Sequence, residues 1–97
     1  MTIDRQKLEK AAYILKTIAH PTRLAVISML QVKEELTVND LVELTGCEQS
    51  LLSHHLINMK TKGLLQVRKN GTSSFYSLRE KNLGSILKCI DKCDCNM

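Results

Sequence analysis

Ninety-seven residues hold one domain and one modest core, since the scaling of surface with size leaves little interior for a second. Hydrophobic residues make up 43% and charged residues 25%, with one Pro and four Gly, which fits a globular chain and excludes a fibrous or disordered one. The formal net charge of +4 favours a polyanionic partner without requiring one.

Residues 1–10 are charged and lack the apolar stretch of a signal peptide, and nowhere do about 18 apolar residues follow one another. A cytoplasmic chain with no membrane partner is the expectation. Leu8, Ala11, Ala12, Leu15, Ile18 and Ala19 recur at three-to-four spacing, so roughly the first twenty residues form an amphipathic helix that stops before His20-Pro21. Pro21 suits the first position of a second helix, where its missing N–H costs nothing, and Leu24, Ile27, Met29 and Leu30 extend it to about Val32. Lys33-Glu34-Glu35 reads as a loop.

Thr37-Val38-Asn39-Asp40 has the form of a capping box and opens a short third helix carrying Leu41, Val42 and Leu44, which Gly46 ends. A fourth helix over about residues 48–62 places Leu51, Leu52, Leu56 and Met59 on its buried side and stops at Gly63. The period then changes to two. Leu65 and Val67 alternate with Gln66 and Arg68, Asn70-Gly71 supplies a turn in which both residues tolerate positive φ, and Phe75, Tyr76 and Leu78 return as a second strand. Leu83, Ile86, Leu87 and Ile90 describe a last helix whose narrow apolar stripe suits a partner chain better than a lone monomer. The predicted fold is mainly α with one small β-hairpin, in the order α-α-α-α-β-β-α: a winged helix-turn-helix, dimeric, as a single domain over residues 1–97.

Two helices joined by a tight Gly-containing turn are weak evidence alone, but here a basic two-stranded wing follows the second of them directly. The fourth helix offers Gln49, Ser50, Ser53, His54 and Asn58 as short hydrogen-bonding groups able to read base edges or grip phosphates. The wing offers Arg68 and Lys69 for phosphates. Each of these residues taken singly also fits the solvated face of an ordinary helix or hairpin; the set points to double-stranded operator DNA. His54 and His55 are adjacent and so about 100° apart on a helix, which assigns His54 outward and His55 to a structural role.

The chain resembles the ArsR/SmtB metal-responsive repressors in Leu15-Lys16 with Ala19-His20-Pro21-Thr22-Arg23-Leu24, in Gln49-Ser50 with Ser53-His54-His55-Leu56, and in Lys62-Gly63-Leu64 followed by Gly71 and Tyr76-Ser77-Leu78. That resemblance covers about residues 8–80. It implies a homodimer, built by the first and last helices, that represses promoters until an inducer binds, with Leu83, Ile86, Leu87 and Ile90 at the interface. Two metal sites familiar in that family are missing. Where its Cys-x-Cys pair stands, this chain has Thr37-Val38-Asn39, and from Lys81 onward it has neither His nor Glu for a zinc-type site.

Cys89, Cys93 and Cys95 remain, and the four-residue spacing puts the first two on one helical face. Soft thiolates select soft ions, and three suffice for a thiophilic inducer such as arsenite, antimonite or cadmium, whereas zinc would want a fourth ligand. No cofactor is required. Redox or persulfide sensing through paired thiols is the rival reading, and thiols without a role the plainest one. Cys47, in the turn before the fourth helix, reads as a small buried filler ahead of a sensor thiol. A Cys–His nucleophile built from Cys47 and His54 or His55 fails because about two helical turns, near 11 Å, separate them. An enzyme acting on an organic substrate is therefore not expected; a winged-helix module that binds only protein is the alternative from another class.

Overall fold

The computed structural model describes residues 4–80, 82 and 83. In chain order these form α1 (Arg5–Ile18), α2 (Pro21–Val32), β1 (Leu36–Thr37), α3 (Val38–Thr45), α4 (Gln49–Thr61), β2 (Leu65–Asn70) and β3 (Ser73–Leu78).

Local chemistry fixes the helix ends. The Asp4 carboxylate accepts from the backbone N–H groups of Gln6 and Lys7 at 3.0 and 3.3 Å, and His20 Nδ1 accepts from Thr22 N–H at 3.3 Å just ahead of α2. The capping box forms in both directions, Asp40 N–H to Thr37 Oγ1 and Thr37 N–H to Asp40 Oδ2, each 3.1 Å. Caps of this kind stabilise a helix by about 1 kcal/mol. Gly63, at φ 82°, closes α4 with its N–H on the Lys60 carbonyl and Leu64 N–H on the Met59 carbonyl, the reciprocal pair that satisfies the last carbonyls of a helix.

β3 is the central strand of a three-stranded antiparallel sheet ordered β1-β3-β2. β1 was not expected, because two residues cannot display a period of two. The hairpin turn also differs by one residue: Asn70 pairs with Ser73 inside the ladder, and Gly71-Thr72 form the loop. Only Gly71 takes a positive φ there, 66°, so the turn belongs to the type with Gly at its first central position rather than to the type Asn-Gly suggests.

Val26 and Ile27 of α2, Leu41 of α3, and Leu52, Leu56 and Met59 of α4 are completely enclosed, and Leu64 with Leu65, Tyr76 and Leu78 of the sheet are buried against them. Burying each large aliphatic side chain contributes about 1.5–3 kcal/mol, so this cluster is what holds α4 against the rest. Two expectations are corrected here. Leu51 is 49% exposed, because Leu52, His55, Leu56 and Met59 already define the inward side of α4. Leu83, expected at a partner interface, is 1% exposed and belongs to the chain's own core, the reach of that core extending past β3. Ile86, Leu87, Ile90, Cys89, Cys93 and Cys95 lie outside the described residues.

α1 buries only Thr17 and Ile18 and half-buries Ile14, leaving Leu8 56% and Leu15 48% exposed. No helix among the described residues is long and apolar enough to cross a membrane.

Candidate nucleic-acid interface

The outward side of α4 is set by the residues that face inward. With Leu52, His55, Leu56 and Met59 buried, the 100° step turns Ser50, His54 and Ile57 to the opposite side. Gln49, Ser50 and His54 are exposed and Ser53 half-buried, so the structure brings these four together along the first two turns. Ile57 is 57% exposed and was missed by the sequence reading, although its position three residues after His54 places it on the same side. An exposed aliphatic there suits contact with a thymine methyl.

Asn58 is different. It was expected to face outward with His54, yet its Oδ1 accepts from Arg23 Nη1 at 2.9 Å and the residue is half-buried. The same guanidinium donates through Nε to His55 Nδ1 at 2.9 Å and through Nη1 to the Thr17 carbonyl at 2.9 Å. Arg23 thereby ties the end of α1 and the start of α2 to α4. A guanidinium has only donors, so His55 Nδ1 carries a lone pair and its proton sits on Nε2. That Nε2 is buried without a partner among the described residues, and the His20 ring lies 4.4 Å away, centroid to centroid. Burial first, then the Arg23 charge, then His20 and His54, hold the His55 pKa below the ordinary histidine value. His55 is thus the structural, neutral member of the histidine pair and His54 the exposed one.

On the wing, Lys69 is exposed and pairs in register with Ser74. Arg68 crosses the outer face of the sheet, stacked on the Phe75 ring at 4.7 Å, and donates two bonds to the Glu35 carboxylate, Nε to Oε2 at 3.0 Å and Nη2 to Oε1 at 3.1 Å. The register explains the reach, because Arg68, Phe75 and Thr37 stand in one cross-strand row and Glu35 is two residues before Thr37. The Arg68 bond holds the Glu35 carboxyl below its usual range. Arg68 is consequently not a free cation in this state, and a phosphate would have to displace Glu35 to reach it.

Between the start of α3, the start of α4 and the wing runs a groove of about 330 Å³ lined by Thr37, Val38, Asn39, Gln49, Thr72, Ser73 and Ser74. It joins the reading helix to the wing with hydroxyls and amides of the kind that contact a nucleic-acid backbone. Asn39, Thr72 and Ser73 escaped the sequence reading, since only the register of the hairpin brings them beside Gln49. Cys47, expected as a small buried filler, is half-buried against the core, and its backbone N–H donates to Thr45 Oγ1 at 3.1 Å. Among the described residues no group of three His, Cys, Asp or Glu side chains could hold a metal ion.

Comparison with known proteins places this arrangement. The sequence profile described as "Bacterial regulatory protein, arsR family" matches residues 20–67, which span α2 through the first half of β2. The chain is 33% identical over 87 residues to an uncharacterized HTH-type transcriptional regulator of Methanocaldococcus jannaschii, covering 90% of this chain and 98% of that protein. It is 32% identical over 89 residues to the transcriptional repressor PagR of Bacillus anthracis, covering 92% and 89%. Among solved structures, HlyU from Vibrio cholerae superposes with a TM-score of 0.84 at 29% identity, covering 96% of this chain and all of that one.

Proposed function

The chain belongs to the ArsR family of bacterial regulatory proteins and is a DNA-binding transcriptional regulator with a winged helix-turn-helix; from that premise we propose that it represses its own operator as a homodimer until an inducer is bound. The observation that carries this reading is the continuous polar surface formed by Gln49, Ser50, Ser53 and His54 on α4 and by Lys69 and the hydroxyl groove of the wing. The helix start reads base edges, and the wing holds the backbone. Such a partner implies a cytoplasmic protein. The relatives are regulators rather than enzymes.

Two copies join through the exposed apolar side of α1, Leu8 and Leu15, with Ile86, Leu87 and Ile90 of the expected last helix. A two-fold axis then sets two reading helices about one DNA turn, ~34 Å, apart. For the inducer, Cys89, Cys93 and Cys95 supply three soft ligands suited to arsenite, antimonite or cadmium. A mobility shift of the chain's own promoter region tests the DNA reading: a discrete complex is expected, and capture of a protein partner without any shift contradicts it. Titrating that complex with arsenite, antimonite, cadmium, zinc and a persulfide donor tests the inducer. Release by the first three in wild type but not in the C89S/C93S/C95S variant is the expected result; equal release in both contradicts it, and release by the persulfide donor alone moves the assignment to redox sensing.

A further inference from the structure

On the flank of α1 away from its exposed Leu8 and Leu15 lies a second concave surface, a cleft of about 370 Å³ lined by Tyr13, Lys16, Thr17, Arg23 and Lys62. Three of its five residues are cations, Lys16 from α1, Arg23 from α2 and Lys62 from the turn after α4, and no acidic residue lines it among those described. Its composition is therefore the reverse of an ordinary solvated face, where charges of both signs are interspersed. Lys16 and Lys62 make no ion pair among the described residues, whereas nearby Lys10 is paired with Glu80 at 3.7 Å.

The three cations line one cleft. Lys62 Nζ stands over the face of the Tyr13 ring, 5.6 Å from its centre. Arg23 uses Nε and Nη1 on His55, Asn58 and the Thr17 carbonyl, which leaves Nη2 without a bond among the described residues. Thr17 already donates its hydroxyl proton to the Tyr13 carbonyl at 2.8 Å, so it shapes the wall and the cations and phenol do the binding. The volume lies within the roughly 300–1,000 Å³ typical of small-molecule pockets.

We propose that this cleft binds a small multivalent oxyanion, phosphate or carboxylate in chemistry, as an effector of DNA binding. The ligand is not the operator backbone. Lys62 follows the last turn of α4, and 13 residues at 1.5 Å each put it about 20 Å from Gln49 at the reading end. Coupling runs through Arg23: an anion that draws the guanidinium toward Lys16 and Lys62 weakens its hold on His55 and Asn58 and so changes how α4 is seated. The effector role rests on the operator reading given above; anion binding itself does not.

The first test needs no DNA. Calorimetric titration of the full chain with pyrophosphate and, separately, citrate, at matched ionic strength, separates the phosphate and carboxylate sources. Saturable binding of at least one is expected, weakened about tenfold or more, near 1.4 kcal/mol, in K16Q/K62Q. Both lysines are exposed, so the variant keeps its fold, which an unchanged melting curve verifies. No saturable binding of either anion, or equal binding in the double variant, overturns the site. In a second arm the bound anion shifts operator affinity several-fold in wild type and leaves K16Q/K62Q unchanged. An unaltered operator affinity in wild type, or the same shift in both proteins, overturns the effector role while leaving operator recognition itself standing.

Discussion

Arg23 Nε donates to His55 Nδ1 across 2.9 Å, joining two residues 32 positions apart in the chain. The bond requires neutral His55, because protonated Nδ1 would turn a donor toward a donor and set two cations in contact. The groups facing His55 are Arg23 and His20 from the start of α2 and His54 on its own helix, none of them acidic.

The pH dependence follows in sign. The folded pKa lies below the unfolded value of 6.5, so as pH falls past 6.5 the unfolded chain takes up a proton that the folded chain refuses, and stability falls. Above that value the contribution is fully present. Denaturant midpoints measured between pH 8 and pH 5 are expected to decline on the acid side in wild type, and to decline less in His55→Gln. Parallel curves for the two proteins would contradict the assignment of His55 as the titrating group.

Replacing Arg23 removes three hydrogen bonds and strands His55 Nδ1, Asn58 Oδ1 and the Thr17 carbonyl. Arg23→Met should cost on the order of 2–3 kcal/mol by urea unfolding, since each stranded buried acceptor is itself worth about 1–3 kcal/mol and some will find water. Arg23→Lys should fall between, one ammonium being unable to span all three acceptors. A loss within about 0.5 kcal/mol for the Met variant, the range of ordinary surface changes, would show that the network does not hold α4.

The Glu35 carboxylate occupies Arg68 through two hydrogen bonds, so on the proposed role of Arg68 a DNA phosphate would have to compete with it. Glu35→Gln should therefore tighten binding to all DNA sequences several-fold at low salt and steepen the dependence on salt, whereas Arg68→Ala should weaken all sequences alike. Salt titrations of both variants check this. An unchanged slope in each would place Arg68 outside the DNA contact.

Leu8 and Leu15 are large aliphatic residues that α1 leaves about half exposed. Leu15→Glu is expected to yield a folded monomer by analytical ultracentrifugation, with operator binding lost because one reading head no longer fixes the other. A dimeric L15E protein would move the interface away from α1.

What the chain reveals on inspection is what local chemistry decides. Asp40 three residues after Thr37 announced the capping box, Pro21 the start of α2, and Gly46 and Gly63 the ends of α3 and α4. Contacts between distant residues were invisible in this way. Nothing in Arg23 or Asn58 marks them as partners 35 residues apart, nor Glu35 as the partner of Arg68, and those contacts decide which polar residues remain free for DNA. Leu51 and Leu83 were misplaced for a related reason: a helical period shows that a residue is apolar in phase, and only packing shows which stripe is inside.

Operator recognition by the start of α4 is tested most directly by comparing affinity for the chain's own promoter region with that for a shuffled sequence at one salt concentration, in wild type and in Ser53→Ala and His54→Ala. Wild type should favour the promoter by about a thousandfold or more, as specific regulators do. Each variant should lose about 1–3 kcal/mol of that preference while retaining its affinity for shuffled DNA. Equal affinity of wild type for both sequences, or an undiminished preference in both variants, would contradict the account.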